Sequence, residues 1–110
     1  MKAVVLLTQD AEDDLVALHA YVSAASSVAR ADALLTRLEA ACRGLETLPR
    51  RGRVPPELER VGVTDFREIL VRPYRIFYEI VGHTIHVHAI LDGRRDLPEL
   101  LAERLLRRGD

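Results

Sequence analysis

The stretch Arg67–Asp96, REILVRPYRIFYEIVGHTIHVHAILDGRRD, decides the fold. Tyr74–Val81 and Thr84–Leu91 are rich in β-branched and aromatic residues, and only Gly82-His83 separates them. That is the pattern of two strands joined by a tight turn. Before them, Asp65–Val71 alternates in part and reads as another strand. Arg72-Pro73 ends it, because proline has no N–H to give to a ladder. Asp92-Gly93 closes the meander.

Upstream, Lys2–Leu7 is short, apolar and partly β-branched, as expected of a buried strand rather than a signal peptide. Thr8 is placed as an N-cap, with Asp10, Glu12, Asp13 and Asp14 crowding the positive end of a helix. Ala11, Leu15, Leu18, Val22 and Ala25 give residues 9–24 one apolar stripe. Ser26-Ser27 breaks the helix and caps a second over Val28–Leu48, whose stripe is Ala31, Leu34, Leu35, Leu38, Cys42 and Leu45. The short connection predicts an antiparallel helical hairpin. Pro49 ends it, and residues 49–62 (PRRGRVPPELERVG) read as a loop. Downstream, Asp96 is expected to cap a last helix, with Pro98 in its first turn and Glu99 three residues after the cap. Leu97, Leu100, Leu101 and Leu105 form its apolar stripe, and Arg104, Arg107 and Arg108 suit its negative end. The order is β-α-α-β-β-β-α, a single α+β domain over residues 1–110.

Composition narrows the function classes. No apolar run approaches the roughly 18 residues needed to span a bilayer. Cys42 is the only cysteine, so an intrachain disulfide is impossible, and a cytoplasmic location is expected. The net charge of −1 argues against a generic nucleic-acid binder. It hides an asymmetry: residues 1–48 hold four basic and seven acidic side chains, whereas residues 49–96 hold nine and seven.

Along the strands, Arg75, Phe77, Glu79 and Val81 share one face, while Arg67, Ile69 and Val71 share a face of the strand before. If the register brings them together, Arg67 and Arg75, with Arg94 and Arg95 at the end of the meander, form a patch for phosphates or carboxylates. Alternatively, Arg67 pairs with Glu79 or Glu68, and Arg95 with Asp92 or Asp96, as structural ion pairs. His86 and His88 lie on one strand face. A metal there would lack an evident third ligand, with Glu79 only a loose candidate, and an acid–base role for His88 competes with plain packing. Tyr74, Tyr78, Phe66 and Phe77 offer either a base-stacking platform or core.

These pieces carry a resemblance. The helix AEDDLVALHAYV, the loop PRRGRVPPEL, Arg67-Glu68, YRIFYEI at 74–80 and ILDGRRD at 90–96 are similar to the RelE/ParE superfamily of type II toxin–antitoxin toxins, and closer to its ParE branch. The resemblance implies a small twisted antiparallel sheet packed on an N-terminal helical hairpin, with a C-terminal helix. RelE-like members are ribosome-dependent mRNA endonucleases. On that branch Arg67, Arg75 and Arg95 would be the catalytic cations, with Arg75 matching the family's tyrosine-arginine strand motif. This chain departs from that branch, because LPELLAERLLRRGD has no Tyr, His or Lys. ParE-like members poison DNA gyrase and are not enzymes. That branch implies no cofactor, no metal, no membrane and no sequence-specific nucleic-acid contact by this chain alone. It does imply a ParD-like antitoxin, to which, or to the target, Arg67, Arg75, Arg94 and Arg95 would offer countercharge and Leu97, Leu100 and Leu101 apolar surface. A non-toxic module that acts only in complex with its antitoxin is the remaining expectation.

Overall fold

The computed structural model describes residues 2–106. Its elements are β1 (Val4–Leu7), α1 (Gln9–Ala25), α2 (Val28–Gly44), a helical turn α3 (Pro56–Glu59), β2 (Phe66–Val71), β3 (Tyr74–Val81), β4 (Thr84–Asp92) and α4 (Pro98–Leu101), which runs on as a π-helical turn over Ala102–Leu106. The expected order holds. The Pro56–Glu59 turn is an addition inside what reads as a loop. Arg107 and Arg108 lie outside the described residues.

Both helix starts obey their sequence signals. Thr8 Oγ1 accepts from the Ala11 N–H at 3.1 Å, and Ser27 Oγ accepts from the Arg30 N–H at 3.1 Å. Across the hairpin His19 Nε2 meets Asp32 Oδ1 at 2.7 Å. The expected cap at Asp96 is not made. The N-cap position of α4 is Leu97, no side chain caps it, and Pro98 starts the helix, where a missing N–H costs nothing.

The sheet order is β1-β4-β3-β2. The three strands of the meander are antiparallel, and β1 adds to β4 in parallel, with Val4 opposite Thr84 and Leu7 opposite Val87. As an edge strand β1 is less buried than expected, with Val4 54% and Leu6 50% exposed. Side-chain alternation explains this. Val5 and Leu7 pack beneath the hairpin, and the face that Val4 and Leu6 point to is not covered there.

Both sheet faces carry a core. Under the hairpin, Ala11, Leu38, Cys42 and Leu45 pack on Ile69, Ile76, Tyr78, Ile85, Val87 and Ile90. On the opposite face, Leu58, Leu97, Leu101 and Leu105 cover Phe66, Phe77, Ala89 and Leu91. That is why the strands read as nearly continuous apolar runs. The aromatic side chains Phe66, Tyr74, Phe77 and Tyr78 are all buried, which makes them core rather than a stacking platform.

A bulge in β4 separates the two halves of the β3–β4 ladder. Phe77 faces Ala89, Tyr78 faces Val87, and His88 falls between them. Beyond the end of β1, the outward backbone groups of β4 need other partners. Asp14 Oδ2 accepts from the Ile90 N–H at 2.9 Å, and Arg104 Nη2 donates to the His88 carbonyl at 3.1 Å. Arg104 also grips Asp14 with both Nη atoms, at 3.1 and 2.9 Å. One ion pair thus closes the sheet edge and fastens the C-terminal helix to α1.

Candidate functional site

The register separates the two arginines expected to meet. Arg67 stands opposite Tyr78 and Arg75 opposite Leu70, on opposite faces of the sheet. The physical reason is the period of two. An odd offset within one register puts Arg67 with Ile69 and Val71 on the hairpin side, and Arg75 with Phe77 on the other. Arg67 ties down the preceding loop, its Nη1 donating to the Gly52 carbonyl at 2.7 Å. In that loop the Gly52 N–H donates to Tyr78 Oη at 3.0 Å, and Tyr78 Oη donates to the Pro49 carbonyl at 2.8 Å. Only glycine fits there, since a Cβ would lie 2.5 Å from the Glu68 carbonyl oxygen and 2.7 Å from Tyr78 Oη.

Arg75 is the centre of an ion network. Its Nη1 and Nη2 donate to the two Glu57 oxygens at 2.6 and 2.8 Å. Its Nε and Nη2 donate to the two Glu68 oxygens at 2.5 and 3.1 Å. Arg53 Nε adds a contact to Glu68 Oε2 at 3.0 Å. The Glu68 side chain is 0% exposed and that of Arg75 12%. The guanidinium also lies over the Phe77 ring, 5.0 Å from its centroid. Hydrogen bonds from Arg75 hold the Glu57 carboxyl below its usual range, and the bonds to Glu57 in turn raise Arg75. Four of the five N–H groups of Arg75, expected as a countercharge for a partner, are thus engaged by carboxylates from within the chain.

Arg94 is likewise engaged, its Nε and Nη2 donating to Asp92 at 3.0 and 2.7 Å, and this draws the Asp92 carboxyl down. Arg95 is exposed, and among the described residues its side chain has no carboxylate within 4 Å; neither expected partner, Asp92 nor Asp96, is met. Leu97 and Leu101 are buried in the chain's own core, 1% and 0% exposed, with Leu100 half-buried beside them. The stripe expected to face a partner is used internally, where with Leu58 it covers Phe66 and Phe77. His88 Nε2 meets Glu79 Oε1 at 3.1 Å, and the His88 ring sits edge-on to Phe66. No three His, Cys, Asp or Glu side chains converge as a metal site among the described residues. Burial pushes the Cys42 thiol up to about 11, leaving it unreactive at neutral pH.

Above the network lies an open groove of about 590 Å³, bounded by α3, the β2–β3 turn and the exit of β4. Arg53, Arg60, Arg72, Arg75 and Arg94 line it, together with Leu70 and Tyr74. Gly93 closes one end. Its N–H donates to the Pro73 carbonyl at 2.8 Å, and a Cβ there would lie 2.9 Å from that oxygen. Neither Glu57 nor Arg60 announces itself in the sequence, because α3 sits in a stretch whose prolines and charges read as loop.

Comparison with known proteins agrees with this architecture. Residues 5–97 match the family described as "ParE toxin of type II toxin-antitoxin system, parDE". The chain is 31% identical over 100 residues to Toxin ParE3 of Caulobacter vibrioides, covering 91% of this chain and 96% of that one. A solved structure described as the chromosomal ParDE TA system from P. aeruginosa superposes with a TM-score of 0.69 at 18% identity, over 81% of this chain and 94% of that one. That likeness concerns the fold alone. The family match and the Caulobacter relative each extend across most of the sequence, and on them the chain belongs to the ParE family of type II toxin–antitoxin toxins.

Proposed function

We propose that this toxin acts by inhibiting DNA gyrase and is neutralised by a ParD-like antitoxin. Membership of the ParE family supports the gyrase target, and the ParDE composition of the structural neighbour supports the partner. The observation that carries the choice over mRNA cleavage is the state of Arg75. A cation meant to stabilise a scissile phosphate needs donors to spare, yet four of the five Arg75 N–H groups are turned to Glu57 or Glu68. In the described part of the tail, Leu97, Leu101 and Leu105 serve packing.

The test is induction of this gene alone, with DNA damage and mRNA integrity scored in the same cells. Gyrase poisoning gives filamentation, an SOS response and intact mRNA, and co-expression of the adjacent gene restores growth. Position-specific mRNA cuts without DNA damage would replace this reading with ribosome-dependent cleavage. Harmless high-level expression would leave only a complex-forming role.

A further inference from the structure

We propose that the groove between α3, the β2–β3 turn and the exit of β4 receives an acidic segment of the antitoxin, with Arg60 and Arg72 as its carboxylate receptors. This rests on the reading above that such a partner exists. Of the five arginines lining the groove, three are neutralised from within: Arg75 by Glu57 and Glu68, Arg53 by Glu68, and Arg94 by Asp92. Arg60 and Arg72 are exposed, and among the described residues neither has a carboxylate within ion-pair distance. Five arginines against three carboxylates leave the groove positive in a chain whose net charge is −1.

The network beneath fixes where the two free cations stand. The bidentate Arg75–Glu57 pair anchors the short helix α3, whose C-cap residue is Arg60. The Gly93–Pro73 hydrogen bond anchors the turn that carries Arg72. Receptors held on rigid supports lose little freedom when a ligand arrives. Apolar surface is interleaved with the ion network on the floor between them, where Leu70 is 41% exposed beside Pro56 and Pro73. A nucleic-acid backbone calls for a run of free cations and gains little from such a floor. A peptide that carries two carboxylates around an apolar side chain matches both the charge and the floor.

The experiment is calorimetric titration of the purified chain with the purified product of the adjacent gene, over a salt series. Arg60→Ala/Arg72→Ala should weaken binding about tenfold or more and flatten its salt dependence, with an unchanged melting temperature. The charge-matched control Lys2→Ala/Arg43→Ala lies toward the β1 side of the sheet and should stay within about twofold of the parent. A second pair, Arg60→Gln/Arg72→Gln, decides the matter should alanine disturb the turn. Equal affinity for parent and groove variants, or an equal loss in the control, overturns the groove while leaving the toxin–antitoxin reading intact. No binding by the unaltered chain overturns that reading and the groove with it.

Discussion

The two faces of the sheet are held by different means. Under the hairpin the contact is mainly apolar, made by two helices that are contiguous in sequence. On the opposite face, Leu97, Leu101 and Leu105 cover only part of the strands, and beside them the Glu57–Arg75–Glu68–Arg53 network ties α3 and the loop before it to β2 and β3. The first face supplies stability; the second fixes loops and presents charge. The sharpest way to break this contrast is Arg75→Ala, which strands the Glu68 carboxylate without its main partner. Removing one member of a buried pair costs about 3–5 kcal/mol, a large share of the roughly 5–15 kcal/mol that holds a domain together. Chemical denaturation should show that loss. An inactive Arg75→Ala toxin therefore reports unfolding and says nothing about catalysis.

The apolar halves can be compared directly. Leu38→Ala under the hairpin and Leu101→Ala under the tail each remove a fully buried side chain, for about 2–5 kcal/mol. The difference should appear in hydrogen exchange. Leu38→Ala opens the whole domain, whereas Leu101→Ala first exposes the amides of α4. Uniform opening in both variants would show that the tail is no separate unit.

The hairpin face was legible in the sequence because each of its parts is periodic by itself. Thr8 and Ser27 mark the helix starts, and Leu38, Cys42 and Leu45 keep helical spacing without reference to the sheet. Its strand partners alternate as read. The opposite face was legible only in pieces. The leucines of the last helix are plain, but an amphipathic stripe does not say whether it covers its own sheet or a partner. The arginines were found and their partners were not. Glu57 sits 18 residues from Arg75 and Asp14 sits 90 from Arg104, and no local pattern encodes such distances. The meeting of Arg67 and Arg75 failed on register, which a period of two leaves open until strands are paired.

A smaller effect is expected at the fastening between the two regions. Asp14→Ala removes the acceptor of the Ile90 N–H and the partner of Arg104, leaving two part-buried donors unsatisfied, for about 1–3 kcal/mol. Faster exchange of the Ile90 amide, with β2 and β3 amides keeping their protection, would locate the loss at the bulge. If the loss spread evenly over the sheet, Arg104 and Asp14 would belong to the common core rather than to a local clasp.

The smallest prediction uses pH to separate the buried network from the exposed pair. The Arg75 guanidinium holds the folded Glu57 carboxyl below its ordinary 4.5, so the folded state binds this proton less readily than the unfolded chain. That contribution is fully present above pH 4.5 and disappears as pH falls through the lowered value. Glu57→Gln should therefore lie about 1–2 kcal/mol below the parent at neutral pH, and the two stability curves should converge in acid. Asp92 is drawn down by Arg94 in the same direction, but that arginine is exposed, so high salt should remove its share. The Glu57–Arg75 pair, at 17% and 12% side-chain exposure, should keep most of its own share. Convergence that vanished at 1 M salt, where the screening length is roughly 3 Å, would place Glu57 among the surface pairs and dissolve the distinction between the network and the groove above it.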